Sequence, residues 1–309
     1  MNVPSFDFMG RRKIAAMLSV ALVLASIVLL GVRGLNLGLD FTGGSLVEVG
    51  FQQPVDPEAV RRQLEATGFE NGLVQHFGTD VDLLIRMPSR SGANQSTLGD
   101  RMLEAIQATY PAAKMRQSNY VGPVVGEELT ESAGLALLAA LGVVMLYILF
   151  RFTKQFSVGA VVALAHDVII VFGIFSLAQW TFDLPVVAAL LAVIGYSLND
   201  TIVVSDRIRE NFRKVRKGTP FDIINTSLNQ TLGRTLVTSL TTLFVLLALV
   251  FTGGALIRGF AVALTIGVVV GTYSSIYVAA NVLLTMNITR EDLLIPEKEN
   301  VDNPEGTYP

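Results

Sequence analysis

Long apolar runs alternate with short polar breaks along this chain, and only one stretch departs from that rhythm. Apolar runs fill residues 14–34, 132–152, 157–180, 184–206 and 257–285, and a sixth occupies the later part of 221–252. Each reaches or exceeds the roughly 20 residues that a helix needs to cross the hydrocarbon of a bilayer. The pattern predicts a polytopic α-helical membrane protein with six transmembrane helices. Before the fifth run, Thr219-Pro220 supplies an N-cap and a first helical position. An amphipathic lead-in follows, carrying Phe221, Ile224 and Leu228.

The departure is residues 35–131, where the periodicity is that of a soluble α+β domain. Leu46, Val47, Val49 and Phe51 alternate as in a strand, and Asp56-Pro57 opens a helix over 58–67. Strands over 72–77 and 81–87 flank Gly78-Thr79-Asp80, which reads as a hairpin turn. After a loop rich in Ser, Gly and Asn, a helix over 97–109 puts Leu98, Met102, Leu103 and Ile106 on one face, and a last strand covers 114–121. The order β-α-β-β-α-β is that of the ferredoxin-like split motif. The acidic residues of the domain are scattered and outline no catalytic constellation. GLDFTGG, 38–44, reads as a turn leaving the membrane. VGPVVGEEL, 121–129, reads as a shaped connector back, with Glu127-Glu128 favouring a helix start.

Charge then orients the spans. Arg11, Arg12 and Lys13 precede the first run, Arg151 and Lys154 separate the second and third, and Arg207, Arg209, Arg213, Lys214, Arg216 and Lys217 follow the fourth. Residues 180–183 and 252–256 contain no Lys or Arg. By the positive-inside rule the tail 1–13, the break after 152, the basic loop 207–220 and the tail 286–309 are expected to be cytoplasmic, with the α+β domain outside. The first run is too long for a signal-peptide core and no small-x-small site follows it, so it is expected to stay as an uncleaved span. The polar, acidic, proline-containing end of the chain is expected to be disordered.

Composition narrows the chemistry. The 309 residues are 51% hydrophobic and 16% charged with a mean hydropathy of +0.53, as in a membrane protein. There is no cysteine, so no disulfide, cysteine nucleophile or thiolate metal site exists, and two histidines, His76 and His166, make a metal centre unexpected. No cofactor, enzymatic activity or nucleic-acid partner is expected.

Within the apolar runs stand His166-Asp167 in the third, Asn199-Asp200 in the fourth and Arg234 at the inner border of the fifth. A carboxylate at the middle of a span costs about 2.5–3.5 kcal/mol even on the mildest insertion scale, so a chain that keeps one generally uses it. Asp200 lies roughly 9 Å from the cytoplasmic end of its span and Asp167 roughly 15 Å from that of its own, at 1.5 Å per residue. Arg234 has a side chain long enough to reach along its helix, and it is expected to meet Asp200 in the inner half of the bilayer. Thr238, Thr241 and Thr242 fall on the Arg234 face, while Tyr196, Ser197 and Val204 flank Asp200. Such hydroxyls can hold water and pass protons, or simply join helices. Gly267, Gly271, Ser275 and Ala279 recur every four residues on the sixth run, a face that admits a close helix from this chain or a partner.

Burial favours a protonated carboxyl and a neighbouring guanidinium favours the carboxylate. An acid between these influences is a bistable element, and proton uptake on one side with release on the other drives a conformational cycle. The gradient offers about 2.3 kcal/mol per charge per 100 mV. In this reading Asp200 is the protonatable group, Arg234 its switchable counter-charge, and Asp167 an auxiliary relay or packing residue beside His166. The competing readings are a structural ion pair, an intramembrane aspartyl protease using Asp167 and Asp200, and half of an exporter of small molecules or lipids. Against the protease stand the absence of a GxGD segment and the different depths of the two acids.

The longer motifs carry a resemblance. GLDFTGG after the first span, VGPVVGEEL before the second, AHD in the third, GYSLNDTIVV and SDRIREN in the fourth, NQTLGRTL and TSLTTL in the fifth, and GFAVALTIGVVVGTYSSIYVA in the sixth occur in this order over nearly the whole chain. Together they resemble the SecD/SecF family, on its SecF side, within the RND superfamily. One departure is Ser205, where the family pattern has phenylalanine, so a smaller side chain packs at the end of span four. The resemblance implies an RND-type fold in a bacterial inner membrane, of which six spans are half, so that SecD is expected to supply the rest. It also implies association with SecYEG and YajC, contact with unfolded exported polypeptides through the periplasmic domain, and use of the proton motive force to promote export. The family's functional carboxylate and arginine fall on Asp200 and Arg234.

Overall fold

The computed structural model describes residues 6–88, 97–215, 218–289 and 292. The loop expected over 89–96, Arg216, Lys217 and nearly all of the tail expected to be disordered lie outside the described residues. In chain order the elements are α1 (Arg12–Arg33), β1 (Asn36–Leu37), α2 (Leu39–Thr42), β2 (Gly44–Gly50), α3 (Pro57–Ala66), β3 (Leu73–Phe77), β4 (Thr79–Met87), α4 (Leu98–Gln107) and β5 (Lys114–Val121). There follow α5 (Pro123–Arg151), α6 (Lys154–Ala178), β6 (Thr181–Phe182), α7 (Leu184–Lys214), α8 (Pro220–Thr252) and α9 (Gly254–Thr285). Helices α1 and α5 to α9 are each long and apolar enough to cross a membrane.

Between α1 and α5 the chain folds as the expected ferredoxin-like domain. Its antiparallel sheet has the order β3-β4-β2-β5, the split arrangement that a β-α-β-β-α-β chain produces. Alternation on β2 sends Val47 and Val49 inward. They pack with Leu83 and Ile85 of β4 against Val60 and Leu64 of α3 and Met102 and Ile106 of α4. Asp56 caps α3 by accepting from the Glu58 N–H at 3.1 Å, with Pro57 at the first helical position.

The membrane part is built around α6, α7 and α9, with α1, α5 and α8 outside them. The most apolar windows of α6 and α7 are each 56% buried, whereas that of α5 is only 6% buried. Side chains such as Leu138 and Phe150 of α5 therefore face outward, toward lipid or a second subunit. The small-residue stripe of α9 is consumed within the chain. A Cβ on Gly271 would stand 3.0 Å from Cβ of Ser197 on α7, and a Cβ on Gly159 of α6 would stand 3.2 Å from the Ala279 carbonyl oxygen. Gly267 meets Val193 of α7, whose branched side chain is stiff, and a Cβ there would lie 3.0 Å from the Val193 Cβ. Gly267→Leu is expected to destabilise the fold by on the order of 2–3 kcal/mol through overpacking. A melting temperature in detergent equal to that of the unaltered chain would contradict this packing.

Helix α7 does not stop where its apolar run stops. It continues unbroken to Lys214, so the first residues of the expected basic loop are helical. Beyond the apolar pattern, Lys214 pairs with Glu210 at 2.5 Å and Arg209 with Asp206 at 3.0 Å, the i,i+4 and i,i+3 spacings that sustain an exposed helix. Asp206 also holds Arg151 of α5 at 3.1 Å, and both arginines lie over the Phe152 ring. At the same end the N-terminal segment is strapped to α8. The Asn225 Oδ1 accepts from the Phe8 and Met9 N–H groups, while Asn229 accepts from the Phe6 N–H and donates to its carbonyl.

Candidate functional site

Asp167 is fully buried where α6, α7 and α9 meet. Its Oδ1 lies 2.9 Å from Nδ1 of His166, while its Oδ2 accepts from Ser197 of α7 at 2.5 Å and from Ser274 of α9 at 2.8 Å. The His166 ring lies near parallel to that of Tyr273, with centroids 6.1 Å apart, and its Nε2 is buried without a partner. Tyr273 donates to the Ala15 carbonyl at 2.8 Å and receives from Ser19 at 3.0 Å. One polar chain thus joins α1, α9, α6 and α7. A carboxylate with three donors is well solvated by protein, which explains how it is tolerated at this depth.

Asp200 has a different setting. It is buried on α7, yet its Oδ2 has no hydrogen-bond partner, and the described residues contain no ion pair to it. Antiparallel contacts set the register of α7 on α8: Tyr196 donates to Ser239 at 3.4 Å, Arg207 to Gln230 at 2.7 Å and Asn211 to Ser227 at 2.8 Å. That register puts Asp200 at about the level of Arg234 and Thr235 on α8. Thr235 is buried with an unpartnered hydroxyl, as is Thr201 beside Asp200. Arg234, one residue before the buried Thr235, is exposed on α8. Among the described residues Arg234 makes no ion pair with Asp200, but it is the charged side chain whose field acts on the Asp200 carboxyl. Asn199 is also exposed. The hydroxyls of Thr238, Thr241 and Thr242 do not serve Asp200 either; they donate to carbonyls of their own helix at 3.0, 2.8 and 2.9 Å. Ser274, Tyr273 and Thr235 were not singled out in the sequence. For the first two the signal available was the four consecutive hydroxyl residues at 272–275 inside an apolar run.

Where the soluble domain joins the membrane part, α7 begins under two carboxylates. Asp183 is its N-cap, accepting from the Val186 N–H at 3.1 Å, and Asp40 of α2 accepts from the Leu184 N–H at 3.0 Å. Burial pushes the Asp183 carboxyl above its ordinary range, the Val186 hydrogen bond opposes this, and the nearby charge of Asp40 adds to it. An acid raised on folding weakens the fold as pH rises through its folded value and not below its unfolded one. Asp183→Asn, which keeps a capping oxygen, is thus expected to stabilise the chain at neutral pH, with the gain shrinking as pH falls toward 4. Thermal unfolding of both forms from pH 4 to 8 checks this, and a gain independent of pH would contradict it.

The family relationship is unambiguous. Residues 101–289 match the family described as protein export membrane protein SecD/SecF, C-terminal, and residues 28–55 match the SecD/SecF GG motif. The chain is 52% identical over 296 residues to the protein translocase subunit SecF of Vibrio alginolyticus, covering 96% of this chain and 94% of that one. It is 47% identical over 303 residues to the SecF of Escherichia coli O157:H7, covering 97% and 94%. The crystal structure of SecDF from Thermus thermophilus, a translocon-associated membrane protein, aligns with a TM-score of 0.84 and 39% identity over 92% of this chain. A second SecDF structure, in a super-membrane-facing form, aligns with a TM-score of 0.69 and 40% identity over 92%. This chain spans 39% of the length of each of those solved chains. With family motifs in both connector and membrane spans and relatives matched along nearly their whole length, the chain belongs to the SecD/SecF family of protein-export membrane proteins.

Proposed function

We propose that this chain acts with a SecD partner in the inner membrane of a bacterium to promote export of unfolded polypeptides, driven by protons moving through the site at Asp200. The observation that carries the reading is the Asp200 Oδ2, buried in a span with no hydrogen-bond donor and, among the described residues, no ion pair, while the Arg234 charge acts on it from α8. A buried unpaired carboxylate is costly, and binding a proton removes the cost. Arg234 stands near enough to influence that balance from the outer face of α8, where a second subunit or a turn of the helix would change its reach. Asp167, already held by three donors, has the setting of a residue that fixes the helices around the site. The basic residues at the far end of the bundle support, by the positive-inside rule, a topology with both termini in the cytoplasm and the α+β domain in the periplasm.

Two further features support a mechanical role. The largely unburied α5 and the outer face of α8 offer the surfaces that the other half of an RND-type arrangement would cover. Between the β3–β4 hairpin and the membrane part lies a cleft of 770 Å³ lined by His76, Phe77, Trp180, Asp183, Phe251 and Arg258. Its aromatic groups and charges of both signs suit an extended polypeptide of mixed sequence. The two solved relatives align at nearly equal identity and coverage but with TM-scores of 0.84 and 0.69, as expected of proteins whose domains change arrangement. SecYEG and YajC are the associates that the same reading places beside the complex. The test is export in vesicles holding this chain, SecD and SecYEG, with an imposed proton gradient. Faster export with the gradient than without it is expected, and a rate blind to the gradient would overturn the reading.

A further inference from the structure

The start of α7 poses a specific problem in backbone chemistry. An N-cap side chain reaches the second or third helical N–H, and the first is left to an acceptor from elsewhere. In α7 the second position is Pro185, which has no N–H, and Asp183 takes the third, that of Val186. The remaining donor, the Leu184 N–H, is taken by Asp40, 144 residues earlier in the chain. Among the described residues this is the hydrogen bond by which an α2 side chain holds the α7 backbone.

The surroundings of Asp40 leave little slack. Parallel pairing of β1 with β6 aligns Asn36 with Thr181 and Leu37 with Phe182, and the Gly38 N–H donates to the Phe182 carbonyl at 2.7 Å. A Cβ on Gly38 would lie 2.9 Å from that of Asp183, so the two segments touch backbone to backbone. On its other side α2 meets the start of α5. A Cβ on Gly126 would lie 3.0 Å from the Gly43 nitrogen, and Gly43, at φ +63°, leads directly into β2. Phe41 stacks on Phe182 with centroids 6.0 Å apart. Both connectors of the soluble domain therefore converge on α2, and α2 grips α7 through one carboxylate. Leu184 and Asp200 belong to the same unbroken helix, about 24 Å apart along its axis.

We propose that Asp40 is a positioning residue, whose hydrogen bond to the α7 N-terminus ties the base of the soluble domain to the helix that carries Asp200. The proposal rests on the reading of Asp200 given above. It requires an acceptor oxygen at this position and not a charge, so asparagine should serve and alanine should not.

The experiment uses the full chain with SecD in lipid vesicles, in four forms: unaltered, Asp40→Ala, Asp40→Asn and Asp200→Asn. Amide hydrogen exchange over residues 184–187 and proton flux are measured on each. Asp40→Ala is expected to speed exchange there about 10-fold and to lower flux at least 5-fold, with Asp40→Asn within 2-fold of the unaltered complex in both. If Asp40→Ala does not assemble, Asp40→Glu replaces it, since one added methylene displaces the acceptor, and a change of at least 3-fold in both readouts is expected. Unchanged exchange in the alanine or glutamate form would overturn the tie. Faster exchange with full flux would overturn the positioning role, as would failure of asparagine to rescue. Full flux in Asp200→Asn would instead remove the Asp200 reading and the positioning role with it, while the exchange result would still decide whether Asp40 holds α7.

Discussion

Asp200→Asn is expected to lower proton flux through the assembled complex by at least 10-fold while leaving the chain as stable as before or slightly more so. The two halves of that expectation come from the same observation. Among the described residues, Asp200 is buried with an oxygen that no donor serves and makes no ion pair. Asparagine has nearly the same shape, so packing against α8 and the level of Thr235 are retained, and a costly unpaired charge is removed. What asparagine cannot do is bind and release a proton. Loss of transport with an unchanged melting temperature is therefore the signature of a titrating residue. A structural acid gives the reverse, a lower melting temperature with flux falling only in proportion to surviving protein. Flux that stays at the unaltered level in vesicles would end the proposal for Asp200.

At Asp167 the expectation is opposite in kind. Asp167→Ala takes away the acceptor for His166, Ser197 and Ser274 in a site with no access to solvent. Ser274 already has an alternative in the Gly271 carbonyl at 3.1 Å, so two donors rather than three are stranded. At about 1–3 kcal/mol for each buried unsatisfied group, a loss of roughly 3 kcal/mol is expected. For a chain of this size that corresponds to a melting temperature lower by roughly 6–12 °C. Asp167→Asn keeps one acceptor oxygen and should lose only about a third of that. The asparagine form also separates roles. If Asp167 braces three helices, flux survives in it; if the residue passes protons, flux disappears while the melting temperature barely moves. Equal and complete loss of function on replacing either Asp167 or Asp200 by asparagine, with both proteins intact, would favour a paired-acid catalyst instead.

Much of this protein is legible without its fold. Helix α3 begins where Asp56-Pro57 says it should, and the domain has the strand order that its element sequence implied. The small-residue stripe on α9 was visible as a four-residue repeat, and Asp167 and Asp200 were visible as acids in apolar surroundings. The relation between the two acids was not visible. The sequence set Asp200 with Arg234 and Asp167 beside His166, and only packing reveals Ser197 and Ser274 donating to Asp167 while an Asp200 oxygen has no donor. GLDFTGG looked like a turn, and nothing local to it shows that its aspartate closes a helix 144 residues away.

From the sequence alone came the six spans, the inserted α+β domain, the helix caps and the buried acids. These depend on the periodicity of side chains and on the cost of removing charge from water, both of which act within a few residues of the group concerned. The tertiary structure alone decided that Asp200 is buried with an unpartnered oxygen, that Ser197 and Ser274 converge on Asp167, and that Asp40 holds the first amide of α7. Those outcomes depend on the rotation and register of one helix against another. A single residue of rotation swings a side chain by about 100°, and no local pattern constrains that angle.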